Sequence, residues 1–317
     1  MKLLRGVQNI PAFSAGTVAT IGNFDGVHLG HQALLQQARA QADSMQLPLL
    51  LVLFEPQPNE YFHGSQAPAR LSSLREKLHI LRQFRVDFVI CLKFNQTLSS
   101  MSPVEFAKRI IFSLLNVKLL LIGHDFHFGS KRAGDVKLLT EIASQQASTV
   151  QIFSDFTMSD ERVSSTKIRQ ALHDNCLQRA AKLLGRPYSL CGRVVKGDGR
   201  GRQWNIPTAN LGMHRPNLPL KGVFCVQVKR QGRPILAGVA NLGCRPTIGG
   251  SKNVLEVHLL NFNESLYGEL LEIFFLHKLR EEVKFSSLEA LLAQIHDDIA
   301  AAKRYFDENN KHLIVAE

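Results

Sequence analysis

The stretch TVATIGNFDGVHLGH occupies residues 17–31 and joins an apolar run to a glycine-rich turn that ends in two histidines. The run 17–22 predicts a buried strand, and the amphipathic segment 31–44 predicts the helix that follows it. Free N–H groups and the positive dipole at the start of such a helix attract phosphate. His28 and His31 lie three residues apart, so both can face one anion. A tight turn with a locally bonded histidine pair, or a metal site with two histidine ligands, would use the same residues.

The alternation of strand and helix continues through residues 1–185. Four more apolar runs predict strands, and three more amphipathic segments predict helices. The strands are 49–54, 87–92, 118–123 and 149–153, and the helices are 72–84, 103–115 and 135–146. Alternating strands and helices predict an α/β domain with a Rossmann-like parallel sheet that helices cover on both faces. Ligands bind at the carboxyl ends of the strands in such sheets, which is where the two histidines lie.

The sequence pattern changes near Gly185, and we expect a second domain over residues 186–317. Glycine and proline become frequent there, and short apolar runs follow one another without helices. These predicted strands are 222–229, 235–242, 254–260 and 270–277. The pattern predicts a small antiparallel β-barrel. A terminal helix is also predicted, because apolar side chains recur on one face at Leu288, Leu291, Leu292, Ile295 and Ile299. Ser286 and Glu289 predict a capping box at its start.

The composition of the 317 residues is that of an ordinary globular protein, with 45% hydrophobic and 21% charged residues. No apolar run approaches the roughly 20 residues that span a bilayer, and the first residues lack the apolar core of a signal peptide. The five cysteines are scattered without C-x-x-C spacing, so we expect a cytoplasmic protein with neither disulfides nor a zinc site. The formal charge of +11 attracts polyanions, including nucleotide phosphates.

A second polar cluster, SSTKIR at residues 164–169, lies at a predicted helix start. Its three hydroxyl groups could simply cap that helix. Together with backbone N–H groups and the guanidinium of Arg169, they could also converge on a triphosphate. The combination with the two histidines favours the phosphate-binding interpretation.

The most unusual stretch is GRVVKGDGRGRQWNIPTAN at residues 192–210. Its four glycines alternate with cations, and such loops can present successive N–H groups to phosphates. A flexible basic loop is the simpler interpretation, but the segment PTAN at residues 207–210 reads as ordered. The stretch is not a Walker A loop, because G-x-x-x-x-G-K-[ST] is absent.

The first half of the chain resembles the adenylyltransferase module of bacterial bifunctional riboflavin kinase/FAD synthetases. The matching segments are residues 22–31, 54–58, 123–129 and 164–169. The resemblance implies that FMN is adenylylated to FAD here, and that His28, His31 and Arg169 act on the ATP phosphates. It implies further contacts with nucleotide or flavin from Gly22, Phe24, Asp25, Gly30, Asp125, Phe128, Ser164, Ser165 and Thr166. His124 and His127 depart from the family pattern, and we expect them to be solvated or locally bonded.

The second half resembles the riboflavin kinase module of the same family, which phosphorylates riboflavin to FMN. The strongest match is the PTAN segment, and further matches are residues 222–224, 238–243, 245–247, 255–259, 267–268 and 279–280. The resemblance implies that Thr208 and Asn210 ligate Mg²⁺ together with ATP, and both are hard oxygen donors that suit this ion. It implies that Glu256 is the general base for the 5′-hydroxyl of the ribityl chain. Gly197 and Gly201 are implied to contact the nucleotide.

Three positions of the kinase half depart from the family pattern or allow more than one role. Arg280 could face the flavin or a phosphate, or form a surface ion pair with Glu281 or Glu282. Asn205 stands where the family usually has glycine, but asparagine tolerates a positive φ, so we expect the turn to survive. Lys196 stands where histidine is common and keeps a cation near phosphate.

Other interpretations of the sequence stay open. A different adenylyltransferase, or a tRNA-charging relative, could share the two-histidine site but would not account for Glu256 or the PTAN segment. A basic RNA-binding protein would explain the charge, yet the chain has one tryptophan and no recognisable basic-aromatic RNA motif. One of the two modules could also be inactive. We expect riboflavin, FMN, FAD and ATP as partners, without nucleic acid or membrane, and we make no prediction of the oligomeric state.

Overall fold

The computed structural model describes residues 1–158, 161–197, 201, 204, 206–213, 215–247 and 250–309. The chain divides into two compact units. Met1–Pro68 and Ser72–Ser165 form the first unit, and Ala69–Leu71 joins the chain from Thr166 onward in the second. Packing therefore groups residues 166–185 with the second unit, whereas the predicted domain boundary lies at residue 185. That boundary stays a prediction.

A six-stranded parallel sheet forms the centre of the first unit. Its strands are β1 (Lys2–Arg5), β2 (Thr17–Ile21), β3 (Leu49–Glu55), β4 (Phe88–Lys93), β5 (Val117–Gly123) and β6 (Thr149–Phe153). They lie in the order β1-β4-β3-β2-β5-β6, and every neighbouring pair is parallel. The five predicted strands are confirmed to within one residue at each end. The edge strand β1 was not predicted, because its sequence KLLR is short and half charged.

Helices cover both faces of this sheet. They are α1 (Leu29–Met45), α2 (Pro58–His63), α3 (Leu74–Leu81), α4 (Gln96–Ser99), α5 (Pro103–Glu105) and α6 (Val136–Ser144), and α5 continues as a π-helix over Phe106–Leu114. Alternate residues of β3 face opposite cores. Leu49 and Leu51 pack in the core that includes α1, and Leu50 and Val52 pack in the core that includes the π-helix and α6. Burial on both faces explains why the parallel strands read as continuous apolar runs.

The second unit contains a closed antiparallel barrel, preceded by two helices. A short antiparallel pair, β7 (Thr157–Met158) and β8 (Glu161–Arg162), leads to α7 (Ser165–His173) and α8 (Leu177–Leu184). The barrel strands are β9 (Ser189–Val195), β10 (Ala209–Leu211), β11 (Gly222–Arg230), β12 (Leu236–Thr247), β13 (Gly250–Leu259) and β14 (Leu270–Arg280), in the order β10-β13-β12-β11-β14-β9. The predicted fold class is confirmed. Strands β9 and β10 were not predicted, because they flank the basic glycine-rich stretch and carry short apolar runs.

The terminal helix α9 (Leu288–Glu308) packs on the outside of the barrel. Its contact with the barrel is apolar and is made by Ile299, Ala302, Tyr305 and Phe306 against Val223, Cys225 and Val239. The N-cap is Ser287, whose side chain accepts a hydrogen bond from the Ala290 N–H. The predicted capping box at Ser286 is therefore wrong by one residue, because the helix starts one residue later than expected. Among the described residues, no helix is both long enough and apolar enough to cross a bilayer.

Candidate active sites

The loop between β2 and α1 has an unusual backbone conformation. Phe24 and Val27 have φ angles of 45° and 41°, and Gly26 has a φ of 81°. Positive φ is uncommon for residues with a Cβ atom and costly for a β-branched residue such as valine. The buried Lys77 ammonium donates to the carbonyl of Asn23 at 2.8 Å, and Phe24 and Val27 are themselves buried. Surrounding contacts of this kind are what allow a strained loop to persist at a ligand site.

Hydrogen bonds with Ser72 and Ser165 also fix the loop between β2 and α1. The Asp25 carboxylate accepts a hydrogen bond from the Ser72 N–H at 3.1 Å, and the Gly26 N–H donates to the Ser72 hydroxyl at 2.8 Å. The Ser165 hydroxyl donates to the Asp25 carbonyl at 2.8 Å. Asp25 is only 2% exposed. The structure thus places Asp25 and Ser165, both expected to contact nucleotide, where they support the loop.

The two histidines at the start of α1 form a stacked pair. His28 is the N-cap residue, and its Nδ1 accepts a hydrogen bond from the His31 N–H at 3.3 Å. Because Nδ1 accepts, the proton of the neutral ring lies on Nε2. The ring centroids are 3.6 Å apart, and the His31 ring also packs 4.6 Å from Phe24. Burial, then the neighbouring His28 and Lys77, hold the pKa of His31 well below 6.5, so this ring is neutral at pH 7.

The neutral His31 makes the stability of this region depend on pH. Below about pH 6.5 the unfolded chain takes up a proton at this ring, whereas the folded chain does not until the pH falls through its much lower pKa. The unfolded state binds more protons in that window, so the free energy of unfolding falls by up to about 1.4 kcal/mol per pH unit below 6.5. We expect hydrogen exchange of residues 17–45 to show less protection at pH 5.5 than at pH 7.5, after correction for intrinsic rates. His31→Asn should reduce that difference.

His173 supplies the control for this experiment, because its side chain is 82% exposed. His173→Asn should keep the pH dependence of the wild type. A pH dependence that is unchanged in His31→Asn would show that another group titrates.

A cleft of about 410 Å³ opens beside the histidine pair, at the carboxyl ends of the strands. It is lined by seven of the predicted site residues, which are Gly22, Phe24, His28, Gly30, His31, Asp125 and Ser164. A Cβ atom on Gly30 would lie 3.3 Å from the His28 ring, which is closer than most real contacts. Because glycine has no side chain, the His28 ring can occupy its position at the wall of the cleft.

A charged cluster also lines the cleft. Arg162 donates to the Asp125 carboxylate at 2.7 Å and bonds to Asp155 at 2.9 Å. Partial burial raises the pKa of Asp125, but the hydrogen bond and the charge of Arg162 outweigh it and bring this pKa below 3.8. His124 lies 3.4 Å from the Asp155 carboxylate, and His127 lies 2.9 Å from the Asp125 carbonyl oxygen. Both histidines are thus locally bonded, and Arg162 and Asp155 are lining residues that the sequence analysis missed.

Three of the expected contacts lie elsewhere. Phe128 is 6% exposed and packs in the core, with its ring 5.7 Å from that of Phe126, and it is Phe126 that lines the cleft. Thr166 and Arg169 belong to the second unit. There the Arg169 Nε donates to the Ala69 carbonyl at 2.6 Å. Roles of Phe128, Thr166 and Arg169 toward a ligand stay predictions.

In the second unit, strand register brings five side chains into one row. Asn210 on β10 lies opposite Glu256 on β13, and Glu256 lies opposite Asn241 on β12. Asn241 in turn lies opposite Val223 on β11, which lies opposite Arg280 on β14. Directly opposed residues of antiparallel strands share a face, with Cβ atoms about 5 Å apart. The row therefore joins the expected metal ligand, the expected base and Arg280 on one surface.

This row lies on the outer face of the barrel. Along β13, the residues that fill the interior are Leu255, Val257 and Leu259, and they are 0%, 1% and 4% exposed. Glu256 and His258 alternate with them and point outward to a cavity. The period of two along a strand separates the packed core from the candidate site.

The segment before α9, and α9 itself, enclose a cavity of about 310 Å³ over this row. It is lined by the expected site residues Gly201, Thr208, Asn210, Glu256 and Arg280. Its apolar wall includes Phe285, Ile295 and Ile299. A cavity with one polar and one apolar wall fits a ligand that has a flat aromatic part and a polar chain.

Arg280 connects the row to the terminal helix. Its Nε and Nη2 donate to the Asp298 carboxylate at 2.9 and 2.8 Å, and Asp298 is only 6% exposed. Gln294 also donates to Asp298, at 3.1 Å, and the guanidinium lies 5.6 Å from the centre of the Phe285 ring. The acidic partner of Arg280 is thus Asp298, in place of the surface carboxylates considered from the sequence. This ion pair holds α9 at the end of the cavity.

Gly197 and Gly201 keep space open around the two expected metal ligands. A Cβ atom on Gly197 would overlap the side-chain nitrogen of Asn210. A Cβ atom on Gly201 would overlap the Ile206 carbonyl and lie 3.3 Å from the Thr208 hydroxyl. Thr208 and Asn210 both line the cavity, and neutral oxygen donors of this kind suit a magnesium ion that keeps phosphate and water ligands.

Further lining residues of this cavity were missed, among them Asn241, Glu282 and Asp298. Asn241 had a usable signal, because a polar side chain in an apolar strand needs a partner or a ligand. Asp298 lies four residues after Gln294 on a predicted helix, a spacing also found on solvated faces. Of the two departures from the family pattern, Lys196 is exposed and Asn205 lies outside the described residues.

Comparison with known proteins matches both halves of the chain to enzyme families. The FAD synthetase family matches residues 10–167, and the riboflavin kinase family matches residues 184–306. A bifunctional riboflavin kinase/FMN adenylyltransferase of Haemophilus influenzae is 45% identical over 97% of this chain and 100% of its own length. Its counterpart from Escherichia coli strain K12 is 43% identical over 96% of this chain and 98% of its own length.

A solved structure has the same fold over both units. This Streptococcus pneumoniae protein, titled a macrolide-efflux protein, is 28% identical and aligns with a TM-score of 0.80. The alignment covers 96% of this chain and 99% of that one. Because two family matches follow one another in the expected order, and because the curated relatives match over nearly their full length, this chain belongs to the family of bifunctional riboflavin kinase/FMN adenylyltransferases.

Proposed function

We propose that the second unit phosphorylates riboflavin to FMN and that the first unit adenylylates FMN to FAD, with ATP as co-substrate in both steps. Family membership supports the two activities. The observation that carries the assignment of residues is the row of opposed side chains in the barrel. It puts the carboxylate of Glu256 beside the oxygen donor Asn210 in one enclosed cavity.

In the kinase cavity, Glu256 accepts the proton of the ribityl 5′-hydroxyl as the hydroxyl oxygen attacks the γ-phosphorus of ATP. The bond from that phosphorus to the β-phosphate oxygen breaks, and ADP leaves. Glu256 lies on a central strand of the barrel, between β10 and β12, so its carboxylate has a defined direction. The apolar wall at Ile295 and Ile299 suits the isoalloxazine ring.

Magnesium bound with ATP would be held by Thr208 and Asn210. It would neutralise charge on the transferred phosphate. The space that Gly197 and Gly201 leave around both side chains supports this assignment.

In the first unit, an oxygen of the FMN phosphate attacks the α-phosphorus of ATP, and pyrophosphate leaves. A phosphate monoester is largely ionised near neutral pH, so the reaction needs no general base. His28 and His31 donate N–H groups to phosphate oxygens, and the N-terminus of α1 adds backbone N–H groups. Positioning and charge stabilisation provide most of the catalysis in such a site.

Gly197→Ala should lower kcat/KM for riboflavin phosphorylation about 10-fold to 100-fold. The added Cβ would overlap the Asn210 side-chain nitrogen and displace the amide. A larger Mg²⁺ concentration for half-maximal rate should accompany the loss, because Asn210 is an assigned metal ligand. FMN adenylylation, measured in the same preparation, should be unchanged.

Gly212→Ala is the matched control for this substitution. A Cβ there would meet Val195 at an ordinary contact distance of 3.4 Å. Equal losses in the two variants would mean that the barrel tolerates no added methyl group, and would remove the special role given to Gly197.

A chromatographic time course with riboflavin, ATP and Mg²⁺ tests the whole proposal. FMN should appear first and then give way to FAD. FMN without FAD would overturn the assignment of the first unit, and conversion of added FMN without any use of riboflavin would overturn that of the second.

We also propose that the enzyme works in the cytosol. The five cysteines are free thiols, which suits a reducing compartment.

A further inference from the structure

Asn241 is a polar residue of the kinase cavity to which the mechanism above gives no part. It lies on β12 directly opposite Glu256 and lines the cavity. Its side-chain oxygen is buried and has no hydrogen-bond partner among the described residues. Buried amide oxygens are almost always paired. The oxygen itself is shielded from solvent, but the Asn241 side chain borders the cavity, so a ligand bound there is the available source of a donor.

Glu282 determines which end of the Asn241 amide faces the cavity. The Asn241 side chain and the Cys244 backbone lie close enough to the Glu282 carboxylate to lower its pKa as hydrogen-bond donors. An ionised carboxylate can only accept, so the amide nitrogen points to Glu282 and the oxygen points away from it. Gly243 allows this contact, because a Cβ atom there would overlap the carboxylate. Burial outweighs the charge of Lys221 and these two donors, so the pKa of Glu282 lies above its ordinary value.

The position of this acceptor points to one group of the substrate. Opposed side chains on β12 and β13 have Cβ atoms about 5 Å apart, which suits two groups on adjacent carbons of a chain. Glu256 takes the 5′-hydroxyl in the proposed function, on which this inference rests. The hydroxyl next to it is on C4′ of the ribityl chain. It can donate to Asn241 while the 5′-oxygen reacts.

We propose that the Asn241 side-chain oxygen binds the 4′-hydroxyl of riboflavin, and that Glu282 is a positioning residue that keeps the amide in this orientation. Asn241 thereby determines specificity for the polyol chain. A flavin without the 4′-hydroxyl leaves the amide oxygen buried and unpaired in the complex. A site built to pair with a hydroxyl discriminates strongly against the analogue that lacks it.

The test compares riboflavin with its 2′-, 3′- and 4′-deoxy analogues, all of which keep the 5′-hydroxyl. In the wild type, kcat/KM for the 4′-deoxy analogue should be about 10-fold to 100-fold lower than for riboflavin. In Asn241→Ala, riboflavin should be phosphorylated as slowly as the 4′-deoxy analogue, while the relative rates of the other two analogues stay as in the wild type. A purely structural defect would lower all four rates by one factor.

Two controls keep the comparison interpretable. Gln231→Ala removes an exposed side-chain amide from the turn between β11 and β12 and should change none of the rates. Trp204 is the single tryptophan of the chain and lines the cavity, so urea unfolding followed by its fluorescence shows whether the barrel is folded. If Asn241→Ala does not fold, Asn241→Ser, which is also too short to reach the 4′-hydroxyl, takes its place in the same comparison.

The positioning role of Glu282 has its own readout. Glu282→Gln should lower the riboflavin rate in the wild-type background, because glutamine lets the amide turn either way. It should have no further effect in Asn241→Ala. Additive losses in the double variant would overturn the role of Glu282.

Loss of selectivity against the 2′- or 3′-deoxy analogue instead, or equal losses on all four substrates, would overturn the assignment to the 4′-hydroxyl. Failure of the wild type to phosphorylate riboflavin at all would overturn the proposed function and this inference with it. The two failures are thus distinguished by the wild-type rate alone.

Discussion

Glu256→Gln should stop the formation of FMN while FMN is still converted to FAD. Glutamine keeps the shape of the side chain and its place between Asn210 and Asn241, but it cannot accept the proton of the 5′-hydroxyl. A positioned general base contributes about 10²-fold to 10⁴-fold to a rate. We expect kcat to fall by that factor and KM for riboflavin to change little, because the cavity walls are unaltered.

The two activities are measured separately, as FMN formed from riboflavin and FAD formed from added FMN. Glu272→Gln is the matched control, because Glu272 is a carboxylate on β14 that bonds to the Ser189 hydroxyl at 2.8 Å away from the cavity lining. It should leave both rates unchanged. If a folded Glu256→Gln variant lost both activities, or kept its kinase rate, Glu256 would not be the base.

His31→Ala should have the reciprocal effect and abolish FAD formation while FMN formation continues. The ring is neutral and packed between His28 and Phe24, so it acts as a directed N–H donor at the helix start. Removal of one such donor from a phosphoryl or acyl transfer site costs about 10²-fold to 10³-fold in kcat. Loss of the ring also removes packing from the strained loop that holds Phe24 and Val27.

FAD formation from added FMN is the measurement, at several pH values between 6.5 and 8. Because His31 is already neutral there, we expect the ratio of wild-type to variant rates to be constant over this range. His173→Ala, at an exposed position on α7, is the control. A ratio that rises steeply toward low pH would mean that the ring acts as a cation and would contradict its neutral assignment.

The architecture was largely predictable, because the apolar residues of the strands and of the helices recur at regular spacings. Strands buried on two faces read as uninterrupted apolar runs, and the helix positions between them followed from spacing. Local geometry was less accessible. Residues 103–115 have a helical pattern, yet most of them form a π-helix. The positive φ angles at Phe24 and Val27 contradict the preference of both residue types, and only tertiary contacts such as that between Lys77 and Asn23 impose them.

The residues of the candidate sites could be predicted where they belong to a sequence motif. They could not be predicted where contacts between distant segments of the chain determine their position. Glu256 and Asn210 are 46 positions apart, and only the register of the barrel strands brings them together. In the sequence, only the resemblance to the family indicated that they belong to one site. The motif predicts a ligand contact for Asp25, which stays a prediction, but its partner Ser72 lies 47 residues away and could not be predicted from the motif. Asp298 could not be assigned, because nothing in the spacing of α9 indicates an arginine on β14.

The alternation along β13 places neighbouring residues on two different surfaces of the barrel. Leu255, Val257 and Leu259 fill the interior, whereas Glu256 and His258 between them line the cavity and carry little of the packing. A change of side chain at His258 would therefore alter the cavity wall without a compensating change in the barrel interior. Because the cavity lies on the outer surface of the barrel and α9 supplies part of its wall, a change on one face of α9 would reshape the cavity while the barrel itself stays intact.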